Sequence, residues 1–184
     1  GSYGALGHSI NDPASGSVLS LSGGIITEAQ VADVLPGKAG QAGELHGVFD
    51  TNVQLGSVLL NTAQGIFGRT NAWAGREAIP AAAEGEIADG PAVILANISG
   101  DEVCEYAVNI SKSGERLLVT VTDDALLSAT GGIVQGMSGC PIIQNGKLVG
   151  AVTHVLVNDP ARGYGIPIYS MLEAAEAVAG QPAA

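Results

Sequence analysis

The chain has 184 residues, 46% of them hydrophobic and 14% charged. That is enough apolar material for one packed core, and it excludes a disordered chain. Seven basic against 18 acidic residues leave a formal net charge of -11, which argues against nucleic-acid or anionic-membrane binding.

The glycine content, 27 residues, is roughly twice the ordinary share and has no fixed period, so many tight turns between short strands are expected. In chain order, Asn11-Asp12-Pro13 and Ser15-Gly16 read as turns before a strand at 17–21. Glu28 to Leu35 reads as a short helix stopped by Pro36-Gly37. Residues 48–60 read as one or two strands with a bend at Thr51-Asn52, and 72–89 as a connection with some helix. Strands follow at 92–98, 106–110 and 117–122. Asp124 to Ser128 reads as a helical turn. Asn145-Gly146 is a two-residue hairpin signal, and it leads into a nearly continuous apolar strand at 147–157. Ile168, Met171, Leu172, Ala175 and Val178 recur at helical spacing, which predicts a terminal helix over 169–179. Many short strands and one terminal helix make a mainly β fold, a barrel or sandwich.

Gly136-Met137-Ser138-Gly139-Cys140-Pro141 is the segment with most chemistry in it. A hydroxyl nucleophile needs a tight turn, backbone N–H groups aimed at the developing oxyanion and an imidazole within reach. Glycines flank Ser138, and the N–H groups of Gly136 and Ser138 are candidates for the oxyanion hole. Of the three histidines, His8 lies between small residues in Gly7-His8-Ser9. His46 has no evident chemical neighbour, and His154 lies within an apolar strand, where a buried structural role is expected. Asp123 suits either the N-cap of the following helical turn or the acid that orients an imidazole. No metal motif is present, and the mechanism needs no cofactor. Cys104 and Cys140 are the only cysteines, and the sequence leaves their pairing open.

These segments carry a resemblance. Gly136–Pro141 resembles the G-D-S-G-G-P nucleophile signature of chymotrypsin-like proteases, and the order His8, Asp123, Ser138 matches their His, Asp, Ser order. More closely, G-A-L-G-H at residues 4–8, G-G-I-V-Q-G-M-S-G at 131–139, Q-N-G-K-L-V-G-A-V-T-H-V at 144–155 and V-N-D-P-A-R-G-Y-G-I at 157–166 are similar to the SpoIVB peptidase family. The resemblance implies a chymotrypsin-like double β-barrel with a C-terminal α-helix. Residues 1–184 would form one serine peptidase domain of two barrel-like halves with a cleft between them. It places the catalytic histidine on His8, the triad acid on Asp123 and the nucleophile on Ser138.

The resemblance also implies a sporulation signalling protease, exported to the space between the mother-cell and forespore membranes. There it would cleave a membrane-associated regulator of a membrane-embedded metalloprotease, and process itself. The PDZ domain and N-terminal membrane or signal segment usual in that family are not read in these residues. Cys140 stands where the family commonly has serine. Met137 replaces the aspartate with which digestive proteases pair a newly freed N-terminus. Two other functions compete with this one: a catalytically silent protease-like binding domain, and a cysteine hydrolase using Cys140 with His154 or His8.

Overall fold

The computed structural model describes residues 1–72 and 77–179. Two sheets carry the architecture. The N-terminal sheet contains β1 (Ser2–Ala5), β2 (Gly24–Leu35), β3 (Glu44–Thr62) and β4 (Gly65–Thr70), in the order β1-β4-β3-β2. The remaining strands are β5 (Gly90–Ala96), β6 (Cys104–Ser113), β7 (Arg116–Val121), β8 (Pro141–Gln144), β9 (Lys147–Leu156) and β10 (Asp159–Pro167). They close into a barrel in the order β10-β7-β6-β5-β8-β9, all neighbours antiparallel. The fold is therefore mainly β, but its N-terminal half is an open sheet and not a second closed barrel. Helix α1 (Asp124–Thr130) links β7 to the segment before β8, and α2 (Ile168–Ala179) ends the described chain.

Closure removes the barrel's edges, and alternate residues of its strands point inward to fill it. Ile94, Val119, Ile142 and Val152 are fully buried there, with Leu126 from α1 and Met137 from the turn before β8. Asn145 and Gly146 take φ 52° and 74°, the left-handed pair of a type I′ hairpin, and join β8 to β9. Helix α2 buries Ile168 and Met171 and leaves Leu172 exposed.

Several local expectations are corrected. Glu28 to Leu35 is strand, because β2 pairs along its length with β3 from Gly24 opposite Val58 to Leu35 opposite Glu44; pairing with a long neighbour overrides helical propensity. The bend at Thr51-Asn52 is absorbed within a single strand of 19 residues. Residues 17–21 supply only an isolated bridge, Val18 to Asn11, around a turn whose amides are capped by the Asp12 carboxylate. Between 72 and 89 the described part holds one turn of 3-10 helix at Glu84–Glu86, and 73–76 lie outside the described residues.

Candidate active site

His8 and Ser138 lie 130 residues apart and arrive on different sheets, yet His8 Nε2 stands 2.9 Å from Ser138 Oγ. Two glycine contacts explain the approach. After β1 the chain makes a three-residue turn closed by the Gly7 N–H donating to the Ala5 carbonyl, with Leu6 at φ 66° and Gly7 at 73°. Gly7 lies so close to β9 and β10 that a Cβ there would meet Thr153 Cγ2 at 2.9 Å and Ile166 Cγ2 at 2.8 Å. From the other side, Gly139 (φ 90°) packs on the turn, where a Cβ would sit 2.8 Å from the Leu6 nitrogen. Small residues around both catalytic candidates let the two backbones touch.

Around Ser138 the backbone follows a turn with Gly136 at φ 98°. The Met137 N–H donates to the Val134 carbonyl, Gly139 N–H to Val152 and Cys140 N–H to Met137. Among the described residues the N–H groups of Gly136 and Ser138 have no such partner, as an oxyanion hole requires. The Met137 side chain points away into the core, fully buried, and its sulfur accepts from the Val134 N–H. An ion pair to a freed N-terminus has no carboxylate here.

The acid assigned by resemblance is not brought to the imidazole. His8 Nδ1 faces the Ser9 carbonyl at 2.8 Å. Since a carbonyl only accepts, Nδ1 carries a proton, and in the neutral ring Nε2 is then the acceptor. Asp123 instead caps α1: one carboxylate oxygen accepts from the Leu126 N–H at 2.9 Å, the other from the Ala107 N–H at 3.3 Å. The bond from Leu126, aided by the Ala107 and Ala125 amides, holds its carboxyl below the usual range, against a weaker effect of burial. Asp123 thus occupies the capping role that the sequence had offered as its other reading.

His154 also departs from expectation. It is exposed, and its ring centre lies 4.8 Å from that of His8. Partial burial lowers its pKa first, with His8 and then Arg116 adding repulsion. It stands between two clefts. One, of about 260 Å³, is walled by His8, Ile133, Gly136, Ser138, Thr153 and Val155, among others. The other, of about 700 Å³, lies across His8 and includes Glu84, Glu115, Arg116, Tyr169 and Glu173.

Cys140 and Cys104 are free thiols. Burial pushes the Cys140 thiol up to about 12, so it is protonated at neutral pH and unlike an activated thiolate. What the sequence could not expose are the contributions made by carbonyls. Ser9 meets His8 and Thr153 meets Ser138 through a backbone carbonyl, which leaves no side-chain signature.

No curated protein matches the chain significantly. A comparison with known families gives a match to the SpoIVB peptidase S55 family over residues 1–172, a span that includes both the His8 turn and the Ser138 turn. The family is one of serine peptidases, in keeping with a serine hydroxyl held 2.9 Å from an imidazole nitrogen. The chain belongs to the SpoIVB peptidase S55 family.

Proposed function

We propose that this domain is a serine endopeptidase in which Ser138 is the nucleophile and His8 the general base. The observation that carries the reading is the 2.9 Å approach of His8 Nε2 to Ser138 Oγ. His8 takes the hydroxyl proton as Oγ attacks the scissile carbonyl carbon. The oxyanion of the tetrahedral intermediate is received by the Gly136 and Ser138 N–H groups. His8 then gives its proton to the leaving nitrogen, and the C–N bond breaks. Water, deprotonated by the same imidazole, attacks the acyl-enzyme, and the proton returns to Ser138 as the acid departs. Through these steps the Ser9 carbonyl keeps the Nδ1 proton in place, the orienting work that a carboxylate does in a full triad. Direct catalysis by Asp123, as the resemblance implies, requires the carboxylate to leave its cap and reach Nδ1.

The biological role follows the family: a sporulation signalling protease, exported between the mother-cell and forespore membranes, that cleaves a membrane-associated regulator of a membrane-embedded metalloprotease and processes itself. A fluorophosphonate probe tests the chemistry. It should label Ser138, identified by peptide mass, and labelling should vanish in Ser138→Ala and His8→Ala with the fold unchanged. A folded wild-type protein that never labels would make this a silent binding domain. Incubation with the extramembrane part of such a regulator then tests the substrate, cleavage by wild type and not by Ser138→Ala being the expected result.

A further inference from the structure

The hydrogen bond that sets the His8 ring ends on a peptide group, and that group has a second side. The Ser9 carbonyl meets Nδ1. The Ile10 N–H belongs to the same planar unit and, the unit being trans, points the opposite way. It donates to Asn61 Oδ1 at 2.9 Å. The Asn61 amide also donates to the Ile10 carbonyl at 2.7 Å and to the Leu19 carbonyl at 2.9 Å. An asparagine amide has one acceptor oxygen and two donor protons, and the two ends of the loop that follows His8 engage all three.

The sheet places Asn61 for this contact. It lies on β3 opposite Ile66 of β4, and Ile66 lies opposite Ala5 of β1. The chain around His8 is therefore gripped twice by one sheet, at Ala5 through strand pairing and at Ile10 through a side chain. The rest of the loop is tied by its own residues, with Asp12 accepting from the Ala14 and Ser15 amides.

The contact strengthens as the reaction proceeds. When Nε2 takes the Ser138 proton the ring becomes positive, and Nδ1–H pulls harder on the Ser9 oxygen. Electron density drawn toward that oxygen makes the Ile10 N–H a better donor, and Asn61 Oδ1 is the atom that receives it. An interaction stronger in the charged state than in the resting one raises the rate and leaves substrate affinity alone.

We infer that Asn61 is a positioning residue for the His8 base, acting through the Ser9–Ile10 peptide: it fixes the carbonyl that orients the ring and steadies that peptide as the imidazolium forms. The inference rests on the Ser138–His8 reading above.

The p-nitrophenolate burst from N-acetyl-valine p-nitrophenyl ester gives an acylation rate at saturation and a half-saturation concentration. Asn61→Leu, of similar size and without hydrogen bonds, should acylate about tenfold more slowly, the scale of one net hydrogen bond, at unchanged half-saturation. Asn61→Asp keeps an acceptor for the Ile10 N–H but loses both donors. It should melt below the wild type and yet acylate faster than Asn61→Leu. Asp12→Ala loosens the loop without touching the Ile10 peptide and should acylate at the wild-type rate. A folded Asn61→Leu with wild-type acylation, or with a loss confined to half-saturation, would overturn the inference, since the latter is uniform binding only. So would an equal loss in Asp12→Ala, or in Asn61→Asp, because a clamp that merely holds the loop needs the donors as much as the acceptor. Should Asn61→Leu fail to fold, Asn61→Asp decides alone: a rate near that of the wild type supports the inference, and a tenfold loss overturns it. If the wild type neither acylates nor takes the fluorophosphonate, the catalytic pair itself is wrong and the inference falls with it.

Discussion

A carboxylate that accepts from two backbone amides is committed to the fold before it meets any substrate. Asp123 is so placed, and two substitutions separate capping from catalysis. Asp123→Ala should lower stability by about 1 kcal/mol, the usual cost of a lost N-cap, while Asp123→Asn, still an acceptor, should cost less and leave acylation near the wild-type rate. In chymotrypsin-type templates the same change at a true triad acid costs about 10⁴ in kcat. A loss on that scale with unchanged melting would mean the carboxylate does reach His8 in the active state. The pH dependence has a definite sign. The folded carboxyl is held below its unfolded value by the Leu126 N–H. Its contribution is therefore complete above the unfolded value, about 3.9, and is lost as pH falls through the lower folded one. Asp123→Asn should flatten that acid limb of melting temperature against pH. Cys140 offers a second residue-level check. With its thiol pushed up to about 12, a thiol alkylator at pH 7 should leave activity intact, and Cys140→Ser should remain active; inactivation of the folded enzyme by either would restore the thiol mechanism.

Among the elements, the one that most directly sets the site is the turn between β1 and His8. Gly139→Ala would place a methyl 2.8 Å from the Leu6 nitrogen at a residue with φ 90°. The cost is of order 1–3 kcal/mol, and relief by retreat of the turn carries His8 away from Ser138. Fluorophosphonate labelling should therefore slow far more than the melting temperature falls, and equal labelling would show that the turn does not hold the histidine. This contact also marks how far the sequence could be read. The approach of His8 to Ser138 was legible because small residues flank both, and α1 and the Asn145-Gly146 hairpin because capping and turn preferences are local. Strands β1, β4 and β10 were not. Gly65–Thr70 and Asp159–Pro167 hold four glycines between them and become strands only by pairing with neighbours. Asp123 could not be settled from sequence for the converse reason: its carboxylate suits two roles, and the cap it fills here depends on where the distant His8 ring lands.

At the scale of the molecule, the excess of 18 acidic over seven basic residues has no address in the sequence. The fold gives part of it one. Glu84, Glu115 and Glu173 line the cleft across His8, opposed there by Arg116, and after burial these carboxylates are what raise the nearby Tyr169 hydroxyl pKa. Exposed charges act over about 10 Å at 0.1 M salt, so they bear on the approach of a peptide more than on its final contacts. A cationic peptide should thus be captured faster than a neutral one of the same length, and the advantage should shrink with added salt. Two fluorogenic peptides differing only by Lys in place of Gln, assayed at about 0.02 and 0.2 M salt, a span over which the screening length falls about threefold, make the comparison. kcat/KM for the lysine peptide should fall with salt while that of the glutamine peptide stays nearly level, with kcat of both unchanged. Screening should also ease the repulsion within so acidic a chain, so the melting temperature should rise over the same range. Parallel salt responses of the two peptides would mean that the field at the cleft is balanced by Arg116 and that the net charge plays no part in capture.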